Sequence, residues 1–78
     1  MDYTSVEYFH QACRNIVDNE DCKAVNYAVY RAQSGLLERD PKNLKTRALY
    51  LISNITHWRG SIANETRSIL KNIIKYAD

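Results

Sequence analysis

The sequence predicts an all-α fold, a small bundle of about four mostly antiparallel helices forming one domain over residues 1–78, and three observations carry it. Apolar residues recur at spacings of three and four through four separate segments, the signature of a helix with one buried face. The chain holds two glycines and one proline, too few to turn a protein made of many short strands. The stretches between the apolar segments are short, and short connections favour antiparallel neighbours.

The first helix begins at Thr4 or Ser5, either of which can cap it, and carries Val6, Phe9, Ala12, Cys13, Ile16 and Val17 on one face. Asp18, Asn19, Glu20 and Asp21 end it, because such side chains bond their own backbone and compete with helix. Asp21 is placed to cap the second helix by accepting an N–H of its first turn. Its stripe is Cys22, Val25, Val29, Ala32 and Leu36, widened by Ala24, Tyr27, Ala28 and Tyr30. A helix apolar over more than half its circumference is expected to sit centrally, and Gly35 to mark its fraying end or C-cap.

Asp40-Pro41 is the sharpest boundary. Asp caps, and proline suits the first helical position, where its missing N–H would have no partner anyway. The third helix follows, with Leu44, Ala48, Leu51, Ile55 and Trp58 on one face and Leu49 and Ile52 beside them. Gly60-Ser61 closes or kinks it. Ser61 can cap a fourth helix whose apolar set is Ile62, Ala63, Thr66, Ile69, Leu70, Ile73, Ile74 and Ala77.

At 78 residues the chain sits where a single core rarely supplies more than ~3–5 kcal/mol, so a partner or a second copy would help cover it. The expectation is a homo-oligomer. The opening MDYTSVEYFH lacks the basic and apolar regions of a secretory leader, and no apolar run approaches the ~18 residues of a membrane span. The expected setting is therefore the cytoplasm, without membrane contact, with Cys13 and Cys22 as free thiols. The net charge of +2 is unevenly placed: residues 1–40 hold seven acids against four bases, and residues 41–78 hold seven bases against two acids. Such asymmetry fits either two halves that attract within one fold or an anionic partner.

No catalytic set emerges. His10 and Cys13 are helix neighbours, but no oxyanion site or paired carboxylate accompanies them, so no enzyme activity is expected. His10, Cys13, Cys22 and His57 would make a four-ligand metal set, yet their spacing follows no common zinc pattern, and no metal or cofactor is expected.

Three surfaces remain as candidates. Trp58, Arg59, Gly60 and Ser61 combine an aromatic platform, a guanidinium, a glycine and a helix start, the ingredients of an anion or nucleotide site; Arg67 would reach a second phosphate only across an oligomer interface. The competing reading makes Trp58 a core anchor with Arg59 on the surface. Arg67, Lys71 and Lys75, spaced four apart, form a basic stripe that could follow a phosphate backbone. A helix-turn-helix over residues 44–75 fails at Thr56, where a small alanine belongs. Finally, six tyrosines are many for this length. Tyr8, Tyr27, Tyr30 and Tyr50 lie on or beside apolar stripes, and tyrosine suits a half-wet interface; Tyr27, Tyr30 and Tyr50 are the interface candidates.

Two resemblances are legible. Leu37-Glu-Arg-Asp-Pro41 is similar to the close of a tetratricopeptide repeat; Ala63 would then match the next repeat's small alanine, while Leu51 stands where that repeat carries glycine. More broadly, Asn26-Tyr-Ala, Leu49-Tyr-Leu-Ile-Ser-Asn54, Trp58-Arg-Gly60, Ala63, Arg67 and Leu70-Lys71 resemble a pattern in short uncharacterised helical proteins of tailed bacteriophages. That resemblance implies an accessory protein that docks on a host protein, sequesters a host signal, or regulates transcription. The sequence thus predicts a small non-catalytic binding protein that docks on a host protein or on itself. The alternatives are a sponge for a phosphate-bearing nucleotide and a DNA-binding regulator using the basic half.

Overall fold

Ser5 caps the first helix: its hydroxyl accepts the Tyr8 N–H at 3.1 Å, and helix α1 runs Val6–Asp18. The computed structural model describes residues 2–19 and 26–77. Four α-helices form there, with α2 over Asn26–Gly35, α3 over Leu44–Asn54 and α4 over Ser61–Tyr76. No strand occurs among the described residues. The expected Asp21 cap and the Cys22 and Val25 part of the second stripe lie outside them.

Consecutive helices pack side by side, and α1 closes the ring against α4, while α1 and α3 touch only lightly. Helices α1, α3 and α4 turn most of the face expected from their spacing inward, although Leu49 and Ile62 are exposed; in α2 only Ala28 and Ala32 of the expected stripe are fully buried, and Tyr27 and Tyr30, expected to widen it, stand in solvent. The core comprises Phe9, Ala12, Cys13 and Ile16 from α1, Ala28 and Ala32 from α2, Leu44, Ala48 and Leu51 from α3, and Ala63, Ile69, Leu70 and Ile73 from α4, joined by Ile55 and Trp58. Thr66 is buried too, and its hydroxyl donates to the Ile62 carbonyl at 2.7 Å, the local back-bond that lets threonine sit inside a helix bundle.

Three boundaries differ from expectation. Asp40 does cap, accepting the Lys42 N–H at 3.0 Å, but Pro41–Asn43 form a 3₁₀ turn and α3 starts at Leu44. Helix α3 stops at Asn54, so Ile55 and Trp58 reach the core from the connecting loop. Ser61 is the first residue of α4, not its cap. The N-cap is Gly60, at φ 116°, with no side chain capping the turn. That backbone conformation is open to glycine and strained for other residues.

Helix α2 also departs from its expected central position. It is one of four members of the ring, and it buries its small residues. Gly35 is no frayed end. It is buried against α1, where a Cβ would meet Cys13 Sγ at 2.8 Å and two Phe9 ring carbons at 3.1 Å. Its φ is not positive, so space is the constraint and not backbone conformation.

The N-terminal residues are fastened to the far end of the chain. Tyr3 stacks on Tyr76 with ring centroids 5.2 Å apart and meets the Tyr8 ring edge-on at 5.3 Å. Tyr8 Oη accepts a bond from Asn72 Nδ2 at 3.0 Å.

A methyl group at position 35 ordinarily stabilises a helix by up to ~1 kcal/mol. Here the overpacking against Cys13 and Phe9 should win, and Gly35→Ala is expected to destabilise by ~1–3 kcal/mol. Urea unfolding measures it, and the loss should shrink in a Cys13→Ala background, where the nearest atom is gone.

Candidate functional site

The Trp58–Ser61 corner is built as an internal brace. Trp58 is 4% exposed, so its ring offers no platform for a base to stack on. The reason lies in the loop. Ile55 and Trp58 form a tight turn, with the Trp58 N–H donating to the Ile55 carbonyl at 3.1 Å, and both side chains point into the core. Arg67 then reaches back from α4. Its Nη1 donates to the Ile55 carbonyl at 3.0 Å and the Trp58 carbonyl at 2.7 Å, and its Nη2 donates to Asn64 Oδ1 at 2.8 Å. A guanidinium that spends three of its five donors on two loop carbonyls and Asn64 closes the α3–α4 connection, and its Nη1 is taken from any phosphate. Arg59, Gly60 and Ser61 remain exposed. Of the expected anion site, Trp58 and Arg67 are thus withdrawn into the structure.

The basic stripe shortens for the same reason. Arg67 is half-buried, leaving Lys71 and Lys75 exposed, with Lys75 Nζ 5.3 Å from the centroid of the Tyr76 ring.

The third candidate surface is where the structure gathers chemistry. Tyr27 and Tyr30 stand 73% and 71% exposed on α2, and Tyr50 stands 52% exposed on α3. Residues 27, 31 and 34 share the side of α2 that adjoins α3. Contacts across the seam confirm that register. The Arg31 guanidinium lies 4.6 Å over the Tyr50 ring, a cation–π pair. Arg47 Nη1 donates to Ser34 Oγ at 3.3 Å. Between the two helices lies an open cleft of about 330 Å³ lined by Arg31, Glu38, Asn43, Thr46, Arg47 and Tyr50.

One ion pair sets the floor of this cleft. Arg47 Nε donates to Glu38 Oε1 at 2.6 Å. The other carboxylate oxygen, Oε2, accepts the backbone N–H groups of Arg39 and Asp40 at 3.2 and 3.1 Å. With Arg47 as the leading cause and the Asp40 N–H next, the Glu38 carboxyl is held down to about 2. The Glu38 carbonyl in turn accepts a bond from His10 Nε2 of α1 at 2.9 Å. Sequence reading missed this residue: positions 38 and 47 face each other across a turn, and no periodicity marks such a pair.

The cysteine and histidines do not assemble a reactive set. Cys13 is fully buried, and burial pushes its thiol up to about 12, far from the thiolate a nucleophile or metal ligand requires. His10 is engaged with Glu38, and His57 is exposed on the α3–α4 loop. Cys22 lies outside the described residues. No group of three or more metal-ligating side chains occurs among the described residues, and no helix there is long and apolar enough to cross a membrane.

The two arginines of the α3–α4 corner should separate cleanly. Arg67→Ala is expected to cost ~2–3 kcal/mol, because it strips charged donors from partly buried carbonyls. Arg59→Ala should stay within ~0.5 kcal/mol of the parent, as an exposed side chain without a partner there. Chemical denaturation of the two variants checks both values.

Comparison with known proteins finds no family model, curated protein or solved structure that matches this chain. The functional reading therefore stands on the residues of the α2–α3 face.

Proposed function

We propose that this chain is a non-catalytic protein-docking module whose working surface is the α2–α3 face. The observation that supports it most is the inverted composition of α2. The helix buries Ala28, Ala32 and Gly35 and leaves Tyr27 and Tyr30 in solvent, with Arg31 stacked on Tyr50 across the seam. Tyrosine and arginine are the residues that carry binding energy at protein interfaces, where their apolar area is buried and their polar tips find partners. Asn43 and Thr46 supply the polar rim. If the resemblance to short tailed-phage proteins reflects origin, the partner would be a host protein.

The phosphate-ligand alternative keeps Arg59 and the uncapped start of α4, and loses Trp58 and Arg67. A DNA-binding alternative keeps only Lys71 and Lys75 of its stripe. Neither gathers as many converging groups as the tyrosine face.

The test uses immobilised chain to retain proteins from a cell lysate at moderate and high salt, comparing the parent with a Tyr27→Ser/Tyr30→Ser/Tyr50→Ser variant. Because these positions are exposed, the variant should keep its helical circular dichroism and melt within a few degrees. The expected outcome is that proteins retained by the parent are lost by the variant, a second copy of the chain being among those retained at moderate salt. Identical retention by both overturns the reading. Retention of nucleotides or nucleic acid that disappears with salt favours the phosphate reading instead.

A further inference from the structure

The face opposite the tyrosines has its own character. In the ring α1–α2–α3–α4, the seam between α2 and α3 and the seam between α1 and α4 lie on opposite sides. The α1–α4 seam holds a larger open groove, of about 710 Å³, whose lining includes Tyr3, Glu7, Tyr8, Glu65, Ile69 and Asn72. Its floor is aromatic and apolar, from Tyr3, Tyr8 and Ile69. The charged groups lining it are both acids, Glu7 and Glu65, and both are exposed. Neither makes an ion pair among the described residues.

The α2–α3 side is the complement. Arg31 is exposed, stacked on Tyr50, and has no carboxylate partner among the described residues, since Glu38 is taken by Arg47. Tyr27, Tyr30 and Arg31 project from consecutive turns of α2, with the tyrosines mostly in solvent. One face is thus an aromatic ridge with a cation that has no ion-pair partner among the described residues. The other is a groove with an apolar floor and two carboxylates of which the same holds.

We infer that the α2 ridge of one chain docks in the α1–α4 groove of a second copy, head to tail, with Arg31 meeting Glu7 and Glu65 and the tyrosines covering Tyr8 and Ile69. This rests on the reading of the α2–α3 face as a docking surface and names its partner. A standard interface covers about 800 Å² per partner. Two such patches on opposite sides fit readily on a surface of 4955 Å². Because the two patches differ, each added copy leaves one ridge and one groove open, so association continues into a ring or a filament and does not stop at a twofold dimer. Opposite charges at the contact also predict weaker association as salt rises.

Charge reversal tests it. Arg31→Glu and the double variant Glu7→Lys/Glu65→Lys are made separately, with Glu7→Gln/Glu65→Gln as a gentler groove variant, and helicity and melting confirm that each folds. In analytical ultracentrifugation the parent should grow from the 9.1 kDa monomer past dimer with concentration. Each variant alone should shift the midpoint of association at least tenfold upward. Mixing Arg31→Glu with Glu7→Lys/Glu65→Lys should restore association, because every ridge then finds a groove of opposite sign. A parent that stays monomeric at millimolar concentration, variants that associate like the parent, or a mixture that stays dissociated each overturn the inference. If the parent is monomeric but the tyrosine variant still loses a different retained protein, the docking face stands and only its partner is misassigned.

Discussion

The Glu38–Arg47 ion pair is the interaction on which the arrangement of three helices depends. Glu38 follows α2, Arg47 lies on α3, and the Glu38 carbonyl is held by His10 of α1. Its second carboxylate oxygen satisfies two backbone donors of the turn that leads into Asp40-Pro41. A partly shielded carboxylate that accepts one guanidinium and two backbone N–H bonds is stabilised in its charged form, which is why its pKa falls. By holding α3 beside α2, the pair places Tyr50 under Arg31 and opens the cleft between them. The geometry of the α2–α3 face is thus a consequence of the same residue that turns the chain.

The core explains why that face is aromatic. A bundle this small has little interior, and at Gly35 α2 meets α1 so closely that a Cβ would touch Cys13 and Phe9; Ala28 and Ala32 are fully buried, with Val29 and Leu36 partly buried against the core. Close packing excludes large side chains from that side of α2. Tyr27 and Tyr30 therefore face solvent, where each exposes apolar ring area worth burying at about 25 cal/mol per Å². Arg67 plays the matching part at the other connection. It ties the Ile55–Trp58 turn to α4, so that Trp58 seals the core from a loop. In a corner rich in aromatic, basic and glycine residues, Trp58 and Arg67 are occupied with holding the fold, whereas the plainer face between α2 and α3 keeps Arg31 and Tyr50 exposed.

Periodicity made most of the fold legible. The inward residues of α1, α3 and α4 follow spacings of three and four, the Asp40 cap is readable from residue type, and the first cap narrows to Thr4 or Ser5. What the pattern could not carry was anything set by contacts distant in the chain. Ile55 and Trp58 continue the spacing of α3 and are buried as expected, yet they leave the helix, because burial and helicity are separate requirements. Ser61 and Gly60 are both acceptable caps, and only the backbone angle decides between them. Tyr27, Tyr30 and Tyr50 were identifiable as interface candidates because tyrosine abundance is a sequence property. The withdrawal of Arg67 from solvent was not, since it depends on two carbonyls 9 and 12 residues earlier.

The most direct measurement is the melting temperature of the parent and of Glu38→Gln as a function of pH. The folded-state pKa of Glu38 lies near 2, below its ordinary 4.5. Its contribution to stability is therefore fully present above pH 4.5 and is lost as pH falls toward 2, when the unfolded chain takes up a proton that the folded chain resists. The other carboxylates titrate alike in both proteins, so the difference between them isolates Glu38. A gap in melting temperature that is wide near neutral pH and closes toward pH 2 is the result this account predicts. A gap that is absent at neutral pH, or that stays constant through the acid range, would contradict it.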